Sequence, residues 1–168
     1  DVLRWRGEPR AAVELQRACI AGYSRTFGPE HPRTHEAMKS LVTLLEVAGQ
    51  YDEALTVIEE VIPYHRDLLG EDHPSTLDAE RLRGLILWKL SRLDEAREAL
   101  ADVRARFLRK LGPEHPNSRD VTNLLAIVHY VSGNFPEALD MWTAQFEAIV
   151  AADGDDAPST IPPRVNLG

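Results

Sequence analysis

The 168-residue chain carries 27 acidic and 19 basic residues, which gives a formal net charge of −8. An acidic surface repels phosphate backbones, so nucleic acid is not the expected partner. The single cysteine, Cys19, excludes a disulfide framework, and no apolar run reaches the roughly 18 residues of a membrane span. Because the first residues do not form a secretory signal either, the expected location is cytoplasmic.

Two short motifs recur along the chain with a step of 42 residues and without insertion or deletion. Copies of the first motif stand at residues 28–34, 70–76 and 112–118, with a weaker copy at 154–160. Copies of the second motif stand at residues 49–54, 91–96 and 133–138, with an earlier copy at 7–12. A fixed period of this size predicts a repeat architecture in which each unit buries its apolar face on its neighbours.

The motifs predict helix ends, because glycine can adopt the left-handed conformation that ends one helix and proline suits the first turn of the next. Apolar residues at helical spacing fill the segments between the motifs. In chain order the predicted helices are residues 9–27, 32–48, 51–69, 74–90, 93–111, 116–132 and 135–152, followed by the start of another at 159–168. Of the partner that should precede residues 9–27, only Val2 to Arg6 remains.

The predicted fold is therefore all-α, a stack of antiparallel helix pairs that forms one solenoid domain over residues 1–168. Its parts are a partial repeat at 1–27, repeats at 28–69, 70–111 and 112–153, and a truncated repeat at 154–168. Small residues recur where two helices must cross closely. They are Val42, Gly84, Ala126 and Gly168 in the first helices, and Ala54, Ala96 and Ala138 in the second helices. Since both ends fall inside a repeat, we expect the chain to be a fragment of a longer protein.

The motifs resemble those of tetratricopeptide repeats. The segment Gly49 to Ala54, and the segments Leu69 to Thr76 and Leu111 to Ser118, resemble the long repeat of kinesin light chains and many bacterial proteins. The resemblance covers essentially the whole chain, with Ala157 and the Pro162-Pro163 pair as departures that indicate a degenerate or ending repeat. It implies a right-handed superhelix whose first helices line a concave groove for extended or helical peptides.

Carried over residue by residue, the resemblance places candidate peptide-binding residues on the first helices. They are Lys39, Asp78, Arg81, Trp88, Lys89, Asp120, Asn123 and Tyr130. Arg81 and Lys89 would pair with a ligand carboxylate, and Asn123 would bond the ligand backbone. The alternating Asp78 and Asp120 would reject a purely acidic ligand.

Trp88 and Tyr130 share a repeat column and would offer apolar area to a ligand, since aromatic anchors carry much of the energy at interfaces. The alternative is that they pack across the superhelix or under a missing neighbour. Lys39, Arg81 and Asn123 resemble part of the clamp that grips a C-terminal carboxylate in chaperone-binding members of the family, but the clamp is incomplete here.

The three histidines of the first motif, His31, His73 and His115, do not predict a metal site. They fall in different layers, roughly 10 Å apart as packed helices are, whereas zinc ligands lie at about 2 Å from the metal. A structural role at the helix start is expected instead. The sequence also lacks a Gly-rich phosphate loop, a Ser/His/Asp grouping and an HExxH motif. We expect neither an enzyme nor a cofactor.

Two other features have structural interpretations. Cys19 shares a repeat column with Val61 and Val103, and is predicted to be a small buried residue. The helix at 93–111 is basic, and its expected role is a solvated face; an acidic docking site for a neighbouring domain and a nucleic-acid surface are the alternatives. Its basic residues are Arg97, Arg104, Arg106, Arg109 and Lys110.

The leading hypothesis is a protein-interaction scaffold that binds a peptide or partner domain in the concave groove. A second hypothesis is the regulatory or sensor arm of a larger bacterial ATPase, transcription regulator or peptidase, which would restrain its own effector domain. We expect a monomer or weak end-to-end self-association, because repeat arrays expose apolar faces at their ends.

Overall fold

The computed structural model describes the backbone of residues 2–153 and the side chains of residues 9–150. This part of the chain is all-α and contains seven helices. They are α1 (Val2–Phe27), α2 (Pro32–Val47), α3 (Tyr51–Leu69), α4 (Pro74–Lys89), α5 (Leu93–Leu111), α6 (Pro116–Val131) and α7 (Phe135–Asp153). The all-α prediction is confirmed, and the helices from α2 onward begin where the motifs place them.

The chain divides between Ser91 and Arg92 into two compact units, here called unit 1 (α1 to α4) and unit 2 (α5 to α7). In each unit, helices that follow one another in sequence pack side by side, and in unit 1 α2 also contacts α4. The prediction of one solenoid domain over the whole chain stays a prediction.

The first motif builds the start of α2, α4 and α6 through its histidine. The Nδ1 atoms of His31, His73 and His115 each accept a hydrogen bond at 3.2 Å from the backbone N–H two residues later. The proline that follows each histidine stands in the first turn, where a helix has no use for an amide donor. The histidines therefore cap helices, as a structural role at the helix start requires.

The threonine that ends the motif ties the same turn to the preceding helix. Thr34 Oγ1 donates to the carbonyl of Gly28 at 2.8 Å, and Thr76 Oγ1 donates to the carbonyl of Gly70 at 2.9 Å. Gly28 and Gly70 have φ angles of 100° and 91°, a region that residues with a Cβ rarely adopt. These bonds thus hold the turn between one helix and the next in a fixed conformation.

The predicted small columns lie in the core of each unit. Val42 and Ala54 in unit 1, and Ala96, Ala126 and Ala138 in unit 2, are fully buried. Larger apolar residues surround them. In unit 1 these include Leu41, Leu45, Ile58, Val61, Leu77 and Ile86; in unit 2 they include Leu100, Val103, Phe107, Leu125 and Ile149.

The start of the chain differs from the prediction. α1 runs unbroken from Val2 to Phe27 and includes Pro9, so the turn predicted at residues 7–12 is absent. The residues Val2 to Arg6 instead belong to the same helix as Pro9. The predicted repeat at 154–168, with Gly168 of the small column, lies outside the described residues.

Candidate functional site

In unit 1 three of the candidate residues form one charged cluster across α2 and α4. Lys39 Nζ lies 3.2 Å from Glu36 Oε1 and 3.8 Å from Asp78 Oδ2. Asp78 Oδ1 also accepts hydrogen bonds from Arg81, at 3.2 Å from Nε and 2.8 Å from Nη2. Two carboxylates thus offset two cations, so a ligand carboxylate has to compete with Asp78 for Arg81.

Trp88 and Lys89 stand together at the end of α4. The ammonium of Lys89 lies 4.5 Å from the centre of the Trp88 ring, within the range of a cation–π contact. Trp88 is half-buried and Lys89 is exposed. One face of the indole is therefore already covered by a cation that belongs to the same helix.

In unit 2 the candidates Asn123 and Tyr130 both contact Trp142 of α7. The indole Nε1 of Trp142 donates to Asn123 Oδ1 at 2.9 Å, and the Tyr130 ring lies 6.1 Å from the Trp142 ring. Tyr130 is 53% exposed and meets the ring of Phe135 edge to face at 5.2 Å. Asp120 is exposed on the same helix, α6. The side-chain oxygen of Asn123 thus holds Trp142 in place.

Trp142 and Phe135 were not among the sequence candidates. A signal for Trp142 was present, because it follows Ala138 of the small column by one helical turn, and a buried indole needs a hydrogen-bond acceptor. Phe135 belongs to the second motif and stands where an earlier copy of that motif has Tyr51.

A second cluster that the sequence did not reveal lies inside unit 1. The buried His35 stacks on Tyr64 with a ring separation of 3.5 Å and an interplanar angle of 3°. The neighbouring His65 is buried as well, and its Nδ1 lies 3.4 Å from the carbonyl of Ser75. Burial lowers the pKa of His35 against the opposing effect of Glu30, and burial lowers the pKa of His65 too. Both imidazoles are accordingly held in the neutral form near pH 7.

Two predictions about individual residues are wrong. Cys19 is exposed, because among the described helices α1 packs only against α2 and its other side has no neighbour. Arg104 is half-buried rather than solvated: its Nε donates to Thr122 Oγ1 at 3.1 Å, and burial lowers its pKa. On the same helix, Arg106 pairs with Asp102 at 3.0 Å and only 11% of its side chain is exposed. Arg109 and Lys110 are exposed, as the solvated-face interpretation expects.

Among the side chains of residues 9–150, no group of three or more His, Cys, Asp or Glu residues could hold a metal ion. Of the helices in the described part of the chain, none has the length and apolar character needed to cross a membrane.

The repeats match models of a known protein family. A tetratricopeptide repeat model matches residues 36–109 and again 75–143, and a second tetratricopeptide repeat model matches residues 1–33. The chain belongs to the tetratricopeptide repeat family. Repeats of this kind generally mediate protein–protein interaction. No curated protein matches the chain.

Solved structures show the same fold as this tetratricopeptide chain. A Podosopora anserina protein assigned as a kinesin light chain, with nearly identical TPR-like repeats, is 25% identical, with a TM-score of 0.86 over 98% of this chain and 79% of its own. BtubC (BKLC) from P. vanneervenii is 17% identical, with a TM-score of 0.80 over 98% of this chain and 65% of its own. The likeness to kinesin light chain-type repeats is thereby confirmed.

Proposed function

We propose that the chain is an interaction scaffold that holds a peptide or a partner domain against the first helices of its repeats, which in unit 1 are α2 and α4. The observation that carries the proposal is the half-buried Trp88 with Lys89 beside it, on the same helix as Asp78 and Arg81, which form a charged cluster with Lys39 of α2. A large aromatic residue flanked by cations offers an apolar contact and a charge contact together, the composition of an interface anchor.

The ligand that suits this surface combines an apolar or aromatic side chain with acidic groups. The side chain would pack on Trp88, and a carboxylate would bind Lys89 or displace Asp78 from Arg81. Because Asp78 stays nearby, a ligand with only acidic residues would meet repulsion. In unit 2, Asn123, Tyr130 and Asp120 of α6 would offer polar and aromatic contacts to a ligand.

We further propose that the chain is a monomer, or associates weakly through its end faces. Leu15 on α1 is 69% exposed, and Phe135 and Leu139 on α7 are 57% and 50% exposed. Scattered apolar residues of this size favour weak contacts between ends rather than a tight interface.

The proposed function is tested with a peptide library screened on the 168-residue chain, followed by calorimetry of the best peptide with single variants. Trp88→Ala should weaken binding by about 2 kcal/mol or more if Trp88 is an anchor, and Arg81→Ala should weaken it for acidic peptides. The matched controls are Leu68→Ala on α3, 52% exposed in the native chain, and Arg25→Ala on α1, also exposed. If the controls weaken binding and Trp88→Ala does not, the functional face lies on the second helices.

A further inference from the structure

A pocket of about 70 Å³ lies between α5, α6 and α7 in unit 2. Because α7 has 19 residues, as α3 and α5 do, the second helices on both sides of the pocket have their full length. The lining residues come from all three helices. They include Arg104, Leu108, Thr122, Met141, Gln145 and Ala148.

The equivalent position in unit 1, two repeats earlier, is filled by a side chain. Tyr64 stands there, and its ring stacks on the buried His35 with a separation of 3.5 Å. Unit 2 has Ala148 in place of Tyr64 and Arg119 in place of His35. The pocket therefore exists because an alanine replaces an aromatic ring, and its walls belong to consecutive helices of the same unit.

The lining also becomes more polar in this repeat. Arg104 stands where the two earlier repeats have isoleucine, and Gln145 stands where they have valine. The Gln145 amide donates to the carbonyl of Arg119 at 3.3 Å, which holds it at the edge of the pocket. Space and polar groups thus appear together in one repeat, which is the composition of a ligand site rather than of an apolar packing defect.

The guanidinium of Arg104 lacks the counter-ion that unit 1 contains at the corresponding junction. Its Nε donates to Thr122 Oγ1 at 3.1 Å, and burial lowers its pKa with no carboxylate of the described residues to oppose the shift. Thr122 stands where unit 1 has Glu80, a buried carboxylate 2.8 Å from Arg66. A half-buried cation without a carboxylate is unfavourable, so binding of a carboxylate from outside would be favourable.

The other walls of the pocket indicate what the carboxylate is attached to. Leu108, Met141 and Ala144 are apolar and would contact a short hydrocarbon stem. The two Nη groups of an arginine match the two oxygens of a carboxylate, whereas a phosphate would place further oxygens against the apolar walls. A space of 70 Å³ has room for several water molecules, and hence for a carboxylate with its stem, but not for a helix.

We propose that this pocket binds a glutamate side chain of a partner protein. The carboxylate pairs with the Nη groups of Arg104, and the two methylene groups of the glutamate contact Leu108 and Met141. The Thr122 hydroxyl keeps the guanidinium oriented through its bond to Nε. The proposal does not depend on the surface around Trp88.

The probe is the tripeptide acetyl-Ala-Glu-Ala-amide, titrated into the ¹⁵N-labelled 168-residue chain. The NMR signal of the Arg104 Nε–H group, assigned from the spectrum of Arg104→Lys, reports on this pocket alone. It should shift and saturate, with a Kd of roughly 1 mM for a single side chain. The matched peptide with glutamine in place of glutamate should bind at least about tenfold more weakly, because it loses the charge-assisted bonds.

Variants separate the pocket from general attraction of an anion. Arg104→Met should raise the Kd at least about tenfold, read from backbone signals of α6 and α7. Arg109→Met removes the same charge from an exposed position of α5 and should leave the Kd unchanged. Ala148→Tyr keeps every charge, restores the ring of unit 1 and should abolish binding. Ala21→Tyr, at an exposed position of α1, is its control.

Several results would overturn the proposal. Equal Kd values for the glutamate and glutamine peptides would mean that the pocket does not recognise a carboxylate. Inorganic phosphate that displaces the peptide at a lower concentration would make it a phosphate site. Binding at least tenfold tighter in the double variant Asp155→Asn, Asp156→Asn would make the chain's own carboxylates the occupant. Binding that survives both Arg104→Met and Ala148→Tyr would place the peptide elsewhere. Trp88→Ala should leave the Kd unchanged, so failure of the proposed function and failure of this site are distinguishable.

Discussion

The junction of α3 with α4 in unit 1 and the junction of α5 with α6 in unit 2 occupy equivalent repeat positions, yet their chemistry differs. In unit 1 the carboxylate of Glu80 is buried and lies 2.8 Å from the guanidinium of Arg66. His65 is buried beside them and faces the Ser75 carbonyl. Unit 1 therefore joins these helices through a polar junction.

In unit 2 the residues 42 positions later make an apolar junction. Phe107 and Leu108 replace His65 and Arg66, and Thr122 replaces Glu80. Phe107 is fully buried, and Arg104 Nε donates a hydrogen bond to Thr122 Oγ1 at 3.1 Å. The backbone motifs thus specify where helices meet, and the side chains at the meeting point can be either ionic or apolar.

The largest expected effect is on the apolar junction. Phe107→Ala should destabilise the chain by about 3–5 kcal/mol, because it removes a fully buried ring and leaves a cavity. Chemical denaturation measures the loss. Leu68→Ala, which truncates an exposed side chain, serves as the control and should cost under about 0.5 kcal/mol. Equal losses would show that α5 and α6 do not depend on Phe107.

Both units contain the small column, and enlarging one of its alanines should reduce stability by a similar amount in each unit. Ala54→Leu and Ala96→Leu should each cost roughly 1–3 kcal/mol, since both alanines are fully buried at helix crossings and a larger side chain overpacks them. Arg97→Ala, next to Ala96, should cost under about 0.5 kcal/mol, because the Arg97–Asp94 ion pair is at the surface. Thermal melts that rank Arg97→Ala with the alanine variants would contradict the helix register.

Acid should weaken unit 1 more than unit 2. Burial lowers the pKa of His35 and His65 in unit 1 and of His129 in unit 2, each below the ordinary value of 6.5. As the pH falls below about 6.5 the unfolded chain binds protons before the folded chain does, so stability is full above that pH and declines below it. Hydrogen exchange of the full chain at pH 7.5 and pH 5.5 should show the greater loss of protection in α2 to α4.

The swap His65→Phe gives unit 1 the residue that unit 2 has at this position. It should reduce the acid sensitivity of α3 and α4, because one of the two buried imidazoles is gone. If the exchange difference between pH 7.5 and pH 5.5 is unchanged in this variant, His65 is not a source of the sensitivity.

The smallest expected effect is at Ser91, which has a φ of 59° where the other copies of its motif have Gly49 and Gly133. A left-handed conformation costs roughly 1–2 kcal/mol for a residue with a Cβ. Part of this is regained from the lower entropy of the unfolded serine chain. Ser91→Gly should therefore stabilise the chain by about 0.5 kcal/mol in denaturant titrations. A loss of stability would mean that the serine hydroxyl compensates for its conformation.

The sequence predicts the helices well because their ends are set by local rules that repeat every 42 residues. It missed the continuation of α1 through Pro9, which depends on what packs beside the helix. The sequence also does not predict that Cys19 is exposed. Residues of one repeat column are equally buried only when equivalent helices pack around each of them. The stack of His35 on Tyr64 and the bond from Trp142 to Asn123 join residues of different helices, and no spacing within one helix predicts them.

For the charged candidate residues, the sequence predicts their positions but not the residues with which they form ion pairs. Nothing in the spacing of Lys39, Asp78 and Arg81 shows that they neutralise one another, because that depends on how closely α2 approaches α4. The peptide-binding role of these residues stays a prediction.

The two junctions bear on how the repeats came to stand in a fixed order. Freshly duplicated repeats are interchangeable, since every copy presents the same surface to every other. The polar junction makes the repeats no longer interchangeable, because the other junction has Leu108 and Thr122 in place of Arg66 and Glu80. A rearranged chain in which α4 followed α5 would set Glu80 against Leu108, and a buried carboxylate without its arginine is strongly destabilising. The residues that differ between the two junctions therefore make one order of the repeats more stable than another.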